Sequence, residues 1–401
     1  MIQVSIRRSR FGLVVPRVGS PSARARPAAR RGSARRGVGE VGTATHGSGA
    51  VRRRCVTVAS RDVPDLLSDL TTLRLGGPAA RVVVATTTDE LVEAVRSADA
   101  AGEAVLLVGG GSNLVAADGG WPGVVVLVRT SGLQPSVRGP VVELIVQAGE
   151  EWDSVVAASV AHGWSGLASM SGIPGRTGAT PVQNVGAYGS EVADAISELT
   201  VYDRIAGTVE HWSPQRCGFG FRTSAFKYTD RYVVLEVSFA LTSSADAPPV
   251  RYLELARRLG IEPGAIAPSR DVRDVVLDLR RSKGMVLDPD DHDTWSVGSF
   301  FINPFVEPGE VPEGCPNWQV DDQVKLSAAW LIENAGFGRG YGLDRGRGTV
   351  AVSTKHTLAL THRGGGTTAE LLELAAEIRA GVESRFGVRL RPEARLAGVE
   401  F

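Results

Sequence analysis

The chain has 401 residues, more than a single hydrophobic core usually organises, so its length predicts two or three domains. Apolar residues make up 43% of the chain and charged residues 22%, which is ordinary for a globular protein. No apolar run approaches the roughly 18 residues that a membrane-spanning helix needs. The composition therefore argues against a membrane protein and predicts a soluble body.

The formal net charge of zero hides two parts of opposite charge. Residues 1–54 hold 13 arginines and one acidic residue, a net charge of +12, so the rest of the chain carries −12. The basic part has no periodic apolar pattern and cannot bury enough surface to offset the entropy lost on folding. We predict a disordered extension over residues 1–58. A transit peptide, a nucleic-acid-binding tail and a start codon assigned too far upstream are all open explanations for it.

The cysteines and histidines argue against a metal site or a disulfide framework. Cys55, Cys217 and Cys315 are widely spaced and form neither a CxxC nor a Cys/His ligand motif. The six histidines are scattered too. The sequence thus predicts no bound metal and fits a reducing, cytoplasmic location.

A strand, a helix and a second strand are predicted at Arg81–Ala85, Thr88–Ala101 and Ala104–Val108 from apolar runs and helical spacing. The unit ends in a loop that consists of Gly109, Gly110, Gly111, Ser112 and Asn113. Glycines after a buried strand permit positive φ and a close approach of the backbone to a ligand. The loop therefore favours phosphate binding, and a plain tight turn is the alternative.

The same patterns predict most of the later elements. The further predicted strands are Val124–Val128, Val141–Ala148, Glu198–Asp203, Thr208–Trp212 and Tyr232–Leu241. The further predicted helices are Glu151–His162, Asp271–Arg281, Lys325–Ala335 and Thr367–Phe386. Consecutive strands without an intervening helix indicate an antiparallel or mixed sheet.

Residues 171–189 have an unusual composition. They contain five glycines, two prolines and a single charged residue. A solvated loop is normally more polar, so this stretch favours backbone packed directly against a flat or extended ligand. Gln183 and Asn184 are then candidate hydrogen-bond donors. A glycine-rich connection between domains is the alternative.

Three side chains are candidates for chemistry. Arg222 offers a permanently charged fork of donors in a segment rich in glycine and aromatic residues. Ser299 lies between a glycine and two phenylalanines, where a hydroxyl can donate a proton in a water-poor pocket. Glu393 lies between two arginines. Taken singly, these residue types favour ordinary roles as a surface arginine, a turn-capping serine and a salt-bridged glutamate.

Together and in this order, the motifs resemble the UDP-N-acetylenolpyruvoylglucosamine reductase family from about Thr71 to the end of the sequence. The motifs are 109–114, 171–189, 220–227, 298–304 and 391–395. The resemblance implies an α+β fold with a two-part FAD-binding region of the vanillyl-alcohol oxidase-like (PCMH) type and a smaller α+β substrate domain. The implied parts are FAD-binding subdomain 1 at 59–131 joined by 388–401, subdomain 2 at 132–288 and the substrate domain at 289–387.

The resemblance also implies an activity. Family members use NADPH to reduce bound FAD, and then reduce UDP-N-acetylglucosamine enolpyruvate to UDP-N-acetylmuramate in peptidoglycan precursor synthesis. Neither 109–113 nor 171–189 contains a histidine for covalent attachment, so we expect noncovalent FAD. We also expect a cytoplasmic monomer without nucleic acid or membrane partners.

Site residues are carried over from the family by matching its motifs. Ser299 is the implied proton donor, and Arg222 and Glu393 stabilise the developing charge, for which Glu393 needs a raised pKa. Tyr252 is the implied tyrosine that closes over the substrate, and Lys283 and Asn303 match contacts to its phosphates. The implied FAD contacts are Gly109, Gly110, Gly111, Ser112, Asn113, Gly172, Gly175, Gly178, Asn184, Gly186 and Tyr188.

Two features depart from the family pattern. Arg176 stands where small or apolar residues are usual, and the segment 337–348 is longer and more basic than usual.

Two other functions stay open. One alternative is an oxidase of the same flavin fold that uses oxygen. The other is a catalytically silent protein that binds nucleotide sugars or nucleic acid through the basic residues 1–54.

Overall fold

The structure is a computed structural model, and it describes residues 64–401. The predicted disordered extension at 1–58 lies outside the described residues. From residue 64 to residue 401, no helix is long and apolar enough to cross a membrane. Helices and several separate sheets alternate along the chain, which confirms the predicted α+β class. Short 3-10 helices lie at Leu67–Leu70, Ala168–Met170, Thr177–Ala179, Val192–Asp194, His292–Thr294 and Pro308–Glu310.

The first sheet is parallel and has three strands. The elements in this part of the chain are Ala79–Ala85 (β1), Thr88–Ala101 (α1), Val105–Val108 (β2), Leu114–Ala116 (β3) and Trp121–Val128 (β4). Strand β4 lies in the middle and pairs in parallel with β1 and β2. Residues 123–128 of β4 are all buried, as expected for a strand covered on both faces. The loop at 109–113 therefore starts at the carboxyl end of a buried sheet.

The second sheet is antiparallel and has six strands. The elements here are Leu133–Arg138 (β5), Val141–Gln147 (β6), Trp152–Ala161 (α2), Trp164–Ser165 (β7), Gly186–Ala187 (β8), Ser190–Glu191 (β9), Ile196–Asp203 (β10), Thr208–Trp212 (β11), Pro214–Cys217 (α3) and Tyr232–Ser243 (β12). The strand order is β11, β10, β12, β6, β5, and β7 also pairs with β12. Every second residue of β6 is buried against α2, which fixes its register.

Two helices follow the second sheet, Leu253–Leu259 (α4) and Ser269–Ser282 (α5). The sequence predicted α5 but not the shorter α4. Leu255 and Ala256 of α4 are buried against Val272 and Val276 of α5. This contact holds Tyr252, the residue before α4, near the carboxyl end of α5.

The last part of the described chain forms two small sheets of three strands each, covered by a long helix. Its elements are Ser296–Ser299 (β13), Phe305–Val306 (β14), Asn317–Val320 (β15), Gln323–Leu326 (β16), Ala328–Asn334 (α6), Val350–Val352 (β17), Ala359–His362 (β18), Thr368–Phe386 (α7) and Arg395–Ala397 (β19). The sheet orders are β13, β18, β17 and β14, β16, β15. The proposed division at 288/289 stays a prediction.

The predicted helix Lys325–Ala335 was wrong at its start. The helix begins only at Ala328, because the Ser327 hydroxyl accepts from the Trp330 amide and caps it there. Lys325 belongs to β16, where it pairs with Phe305 and Trp318. The other predicted helices and strands are present with small shifts at their ends.

Strand β19 returns to the first part of the chain. It pairs in parallel with β3, and the Arg395 amide donates to the Asn113 carbonyl at 2.9 Å. The segment just before it is hydrogen bonded to the residues after β13, since the Glu393 amide donates to the Phe300 carbonyl at 2.8 Å. Residues 391–397 thus connect the loop at 109–113 with β13.

We predict that Leu144→Ala lowers the free energy of unfolding by about 2–5 kcal/mol, because Leu144 is fully buried under α2 and leaves a cavity. Urea titration at one fixed FAD concentration measures the change. Val141→Ala on the same strand is the control, since Val141 is 51% exposed, and its effect is expected below about 0.5 kcal/mol. Equal effects of the two substitutions would contradict the assigned register of β6.

Candidate active site

A large cavity is lined by residues of the first sheet, the second sheet and β13. Its volume is about 420 Å³, within the usual range for small-molecule sites. The walls come from the loop after β2, the stretch 173–186, the start of β12 and the end of β13. The cavity is therefore built from segments far apart in sequence.

The glycines of the first loop are required by backbone packing. A Cβ on Gly110 would lie 2.7 Å from the Cα of Gly175, so the two glycine-rich stretches touch directly. A Cβ on Gly111 would lie 2.0 Å from the Leu70 carbonyl oxygen, and Gly111 also has φ of +62°. All five predicted residues of this loop line the cavity. Larger side chains here would push the cavity wall apart.

The other residues predicted to contact the cofactor divide into two groups. Gly175, Gly178 and Gly186 line the large cavity. Gly172 does not, and a Cβ there would lie 2.8 Å from the Leu277 side chain, so this glycine permits the packing of α5. For all of these residues, contact with the cofactor stays a prediction.

Asn184 is 1% exposed and does not line either cavity described here. Its side-chain amide donates to a Glu191 carboxylate oxygen at 2.6 Å and to the Gly220 carbonyl at 3.1 Å. Its side-chain oxygen accepts from the Ala193 amide at 3.1 Å. Asn184, with φ of +46°, therefore fixes the turn that leads to Arg222.

All three candidate catalytic residues line the large cavity. Ser299 ends β13, and the hydrogen bond between the Glu393 amide and the Phe300 carbonyl holds Glu393 beside it. Arg222 reaches Glu393, with 3.1 Å between Nε and Oε1. Sequence spacing could not show this convergence, because the three residues come from separate elements.

Arg222 is held in place by the glycine-rich stretch. Its Nη2 donates to the Gly186 carbonyl at 2.8 Å, and the Lys227 ammonium donates to the Arg222 carbonyl at 2.7 Å. The backbone of Arg222 has φ of +52°, a left-handed conformation that is costly for an arginine. The surrounding hydrogen bonds maintain this conformation, which aims the guanidinium at the cavity.

Glu393 has the raised pKa that the proposed chemistry needs. Burial raises the pKa of its carboxyl group, while the positive charges of Arg222 and Lys227 only partly oppose that rise. The carboxyl group therefore stays protonated to higher pH than an ordinary glutamate.

A second, smaller cavity of about 210 Å³ adjoins the first. The two share four residues, Gly186, Arg222, Arg280 and Met285. The remaining walls come from Ala187, Tyr188, Tyr252, Lys283 and His356. Two of the three residues predicted to contact the substrate, Tyr252 and Lys283, thus lie together. Tyr188, predicted as an FAD contact, lies here too and is absent from the lining of the large cavity.

The rings of Tyr188 and Tyr252 meet edge to face, with centroids 5.5 Å apart and planes at 90°. Burial raises the pKa of Tyr188 to about 12, so its hydroxyl is neutral at physiological pH. The Lys283 ammonium lies 3.0 Å from a carboxylate oxygen of Glu254. Asn303 lies in neither cavity, and its side-chain oxygen accepts from the Ala328 amide at the start of α6.

Arg280, which was not predicted as a site residue, lines both cavities and is 8% exposed. Its Nη2 donates to the Met285 carbonyl at 3.0 Å, and its Nε has no hydrogen-bond partner. Within residues 64–401, no carboxylate forms an ion pair with it. A signal was present, because Val272, Val276 and Arg280 follow helical spacing and place an arginine on the buried face of α5.

His356 was also missed, and no sequence pattern marks it. Its Nε2 is buried without a hydrogen-bond partner. Burial, together with the nearby cations Lys283, Arg339 and Arg280, lowers the pKa of His356 to about 4. The imidazole is therefore neutral at physiological pH. Among residues 64–401, no group of three or more His, Cys, Asp or Glu side chains is arranged to hold a metal ion.

Arg129 and Arg176 lie beside the loop at 109–113. Arg129 donates to the Gly109 carbonyl at 2.8 Å, and Arg176, which lines the large cavity, donates to the Gly149 carbonyl at 3.1 Å. Burial lowers the pKa of Arg129, and the charge of Arg176 lowers it further. Arg176 thus places one cation in the glycine-rich wall of the cavity, where it fits the diphosphate of a dinucleotide cofactor, and Arg129 lies behind the loop.

The basic segment 337–348 lies outside the lining of both cavities. Its Arg345 pairs with Glu377, and its Arg347 pairs with Glu370. Both glutamates belong to α7. The structure therefore gives this segment a role in packing against α7.

The glycine loop, the adjacent cations and the large cavity are features of a protein that binds a dinucleotide cofactor, and the comparisons identify that cofactor. A family model described as "FAD binding domain" matches residues 79–213. A second, described as "UDP-N-acetylenolpyruvoylglucosamine reductase, C-terminal domain", matches residues 288–397. The chain is an FAD-dependent oxidoreductase.

Curated relatives define the family. The chain is 53% identical to the UDP-N-acetylenolpyruvoylglucosamine reductase of Thermobifida fusca over 86% of this chain and 99% of the relative. It is 53% identical to that of Salinispora arenicola over 82% and 93% of the two chains. The chain belongs to the UDP-N-acetylenolpyruvoylglucosamine reductase family, which confirms the resemblance seen in its motifs.

A solved structure supports the fold. The crystal structure of the UDP-N-acetylenolpyruvylglucosamine reductase from Thermus caldophilus matches with a TM-score of 0.57 and 24% identity. The match covers 83% of this chain and 97% of that chain. Together with the FAD-binding match, this confirms the predicted fold class.

We predict that Gly111→Ala removes most of the bound flavin, because the added Cβ would meet backbone atoms and the positive φ disfavours alanine. The flavin absorbance per mole of purified full-length protein measures the loss. Gly119→Ala is the control, since no atom lies within 4 Å of a Cβ there. Equal flavin content in both variants would refute the packing requirement.

Proposed function

We propose that this chain catalyses the NADPH-dependent reduction of UDP-N-acetylglucosamine enolpyruvate to UDP-N-acetylmuramate, a step of peptidoglycan precursor synthesis. We further propose that it acts as a cytoplasmic monomer without nucleic acid or membrane partners. The observation that carries the catalytic proposal is that Arg222, Ser299 and Glu393 line the same cavity as the glycine loop, with Arg222 paired to Glu393.

The reaction sets clear electrostatic requirements. FAD, when bound in the large cavity, would supply the hydride, and NADPH would reduce it beforehand. One hydride and one proton are added across the carbon–carbon double bond of the enolpyruvyl group, and NADPH becomes NADP⁺. Hydride addition builds negative charge on the substrate carboxylate and the carbon beside it, as in an enolate. Positive charge and hydrogen-bond donors must therefore already be in place around that group.

Arg222 provides the fixed positive charge. Its guanidinium is held by the Gly186 carbonyl and by Glu393, so it does not have to reorganise when negative charge develops. Glu393 in its protonated form donates a hydrogen bond without repelling the enolate. The raised pKa of Glu393 supports this role. Ser299 donates the proton to the carbon next to the one that accepts the hydride.

The second cavity takes the UDP part of the substrate. Arg280 and Lys283 supply positive charge for a diphosphate, and Tyr252, which is 41% exposed, lies in the cavity wall where it can close over the ligand. The shared walls of the two cavities let one ligand reach from this cationic region to Ser299. The predicted contact of Asn303 with the phosphates requires its side chain to exchange the Ala328 amide for the ligand.

We predict that Ser299→Ala slows flavin reoxidation by the enolpyruvyl substrate by roughly 10²–10⁴-fold, the usual size of a lost general acid. Anaerobic stopped-flow absorbance measures each half-reaction separately. Reduction by NADPH is the internal control, because no proton transfer from Ser299 is involved. Ser299→Cys keeps a proton donor and is expected to recover part of the rate. Reoxidation at the wild-type rate in Ser299→Ala would eliminate Ser299 as the donor.

We predict that substrate-driven flavin reoxidation slows as pH rises through the raised pKa of Glu393. Below that pKa the carboxyl group is protonated and can donate; above it, a carboxylate repels the enolate. Glu393→Gln is expected to react more slowly and to lack this decline, because glutamine does not titrate. Stopped-flow rates across pH measure both proteins. The same decline in Glu393→Gln would assign it to another group.

A further inference from the structure

The second cavity contains two cations that do not take part in the pairing of Arg222 with Glu393. Arg280 is buried and has no ion-pair partner among residues 64–401. Lys283 is paired with Glu254 across 3.0 Å, and both side chains are 31% exposed. With this pair formed, Arg280 still has no ion-pair partner among residues 64–401, although the Asp153 carboxylate lies near enough to act on its charge. If Glu254 withdrew, the two cations would match the two negative charges of a nucleoside diphosphate.

The imidazole of His356 lies beside the same two cations. Its Nε2 is buried in the cavity region without a partner. Lys283 and Arg280 act on this imidazole in the same direction as burial and disfavour its protonation. The positive potential at His356 therefore persists although Glu254 is close to Lys283. An anion that enters the cavity would lower this positive potential.

Glu254 is placed to respond to such a ligand. It lies in the first turn of α4, two residues after Tyr252, whose ring contacts Tyr188 in the cavity wall. Leu255 and Ala256 anchor the same helix in the core. The carboxylate can therefore leave Lys283 by side-chain rotation alone, without unfolding α4.

We propose that Glu254 competes with the ligand for Lys283: its carboxylate neutralises Lys283 until a nucleoside diphosphate enters the second cavity, and it thereby lowers the affinity of the site for that class of ligand. This inference rests on the proposed function, which places the UDP group in this cavity. Because the exposed part of the pair keeps it weak, the exchange is readily reversible. Glu254 is a positioning residue that acts through Lys283.

The test measures UDP binding by isothermal titration to the full-length, FAD-loaded protein. We expect Glu254→Gln to bind UDP roughly two- to fivefold more tightly, the range of a partly exposed ion pair. Glu262→Gln is the matched control, because it makes the same change at an exposed glutamate just after α4. In a Lys283→Met background, Glu254→Gln is expected to have no such effect.

Glu254→Asp separates pairing from net charge. Its shorter side chain withdraws the carboxylate from Lys283 but keeps the negative charge, so we expect an affinity between those of the wild type and Glu254→Gln. Unchanged or weaker UDP binding by Glu254→Gln would overturn the proposal. So would an equal gain in Glu262→Gln, or a gain that persists without Lys283.

Failure of the proposed function would look different. In that case UDP-N-acetylglucosamine enolpyruvate would fail to reoxidise the NADPH-reduced wild-type protein, whatever the order of the UDP affinities. A protein that is reoxidised normally, but in which Glu254→Gln brings no gain, would retain the proposed function and lose this inference alone.

Discussion

The site depends on the hydrogen bonds made by one extended segment, residues 391–397. On one side its backbone pairs with Phe300 and with Ile302 after β13; on the other it pairs with Asn113 and β3. These backbone contacts set the distance between the glycine loop and Ser299. A side-chain contact would be looser, because backbone pairing fixes both register and direction. Glu393 lies in the middle of this segment, so the same backbone pairing fixes its position.

A second constraint is the balance between burial and charge. Burial makes the charged form of Glu393 costly, and Arg222 nearby reduces that cost without cancelling it. The guanidinium in turn is held by carbonyl oxygens of the glycine-rich stretch, whose own shape depends on Asn184. Packing, backbone conformation and protonation of the site are therefore linked through Arg222.

Local pattern predicted most of the fold. The period of apolar residues located strands such as Thr208–Trp212 and helices such as Thr88–Ala101, because burial of one face depends on local spacing. It misplaced the start of α6, where a serine cap and a strand pairing outweighed helical spacing at Lys325. Short helix α4 was missed because only two of its residues are buried.

Less of the candidate site than of the fold could be predicted from local sequence patterns. The motifs indicated Arg222, Ser299 and Glu393, but their common position in one cavity depends on contacts between distant residues, such as the hydrogen bond between Glu393 and Phe300, which are more than 90 positions apart. Arg280 could have been found as a charge on an apolar helix face. His356 could not, because what distinguishes it is a buried nitrogen without a partner, which only a folded structure reveals.

The position of β19 has a consequence for how the holoprotein forms in the cell. A ribosome makes residues 391–397 after every strand and helix that they join, so the nascent chain holds the glycine loop and β13 without the segment that connects them. The flavin pocket is then completed only after synthesis of that segment. Cofactor loading would therefore follow translation, and a chain truncated shortly before residue 391 would fold much of its core yet lack a finished site.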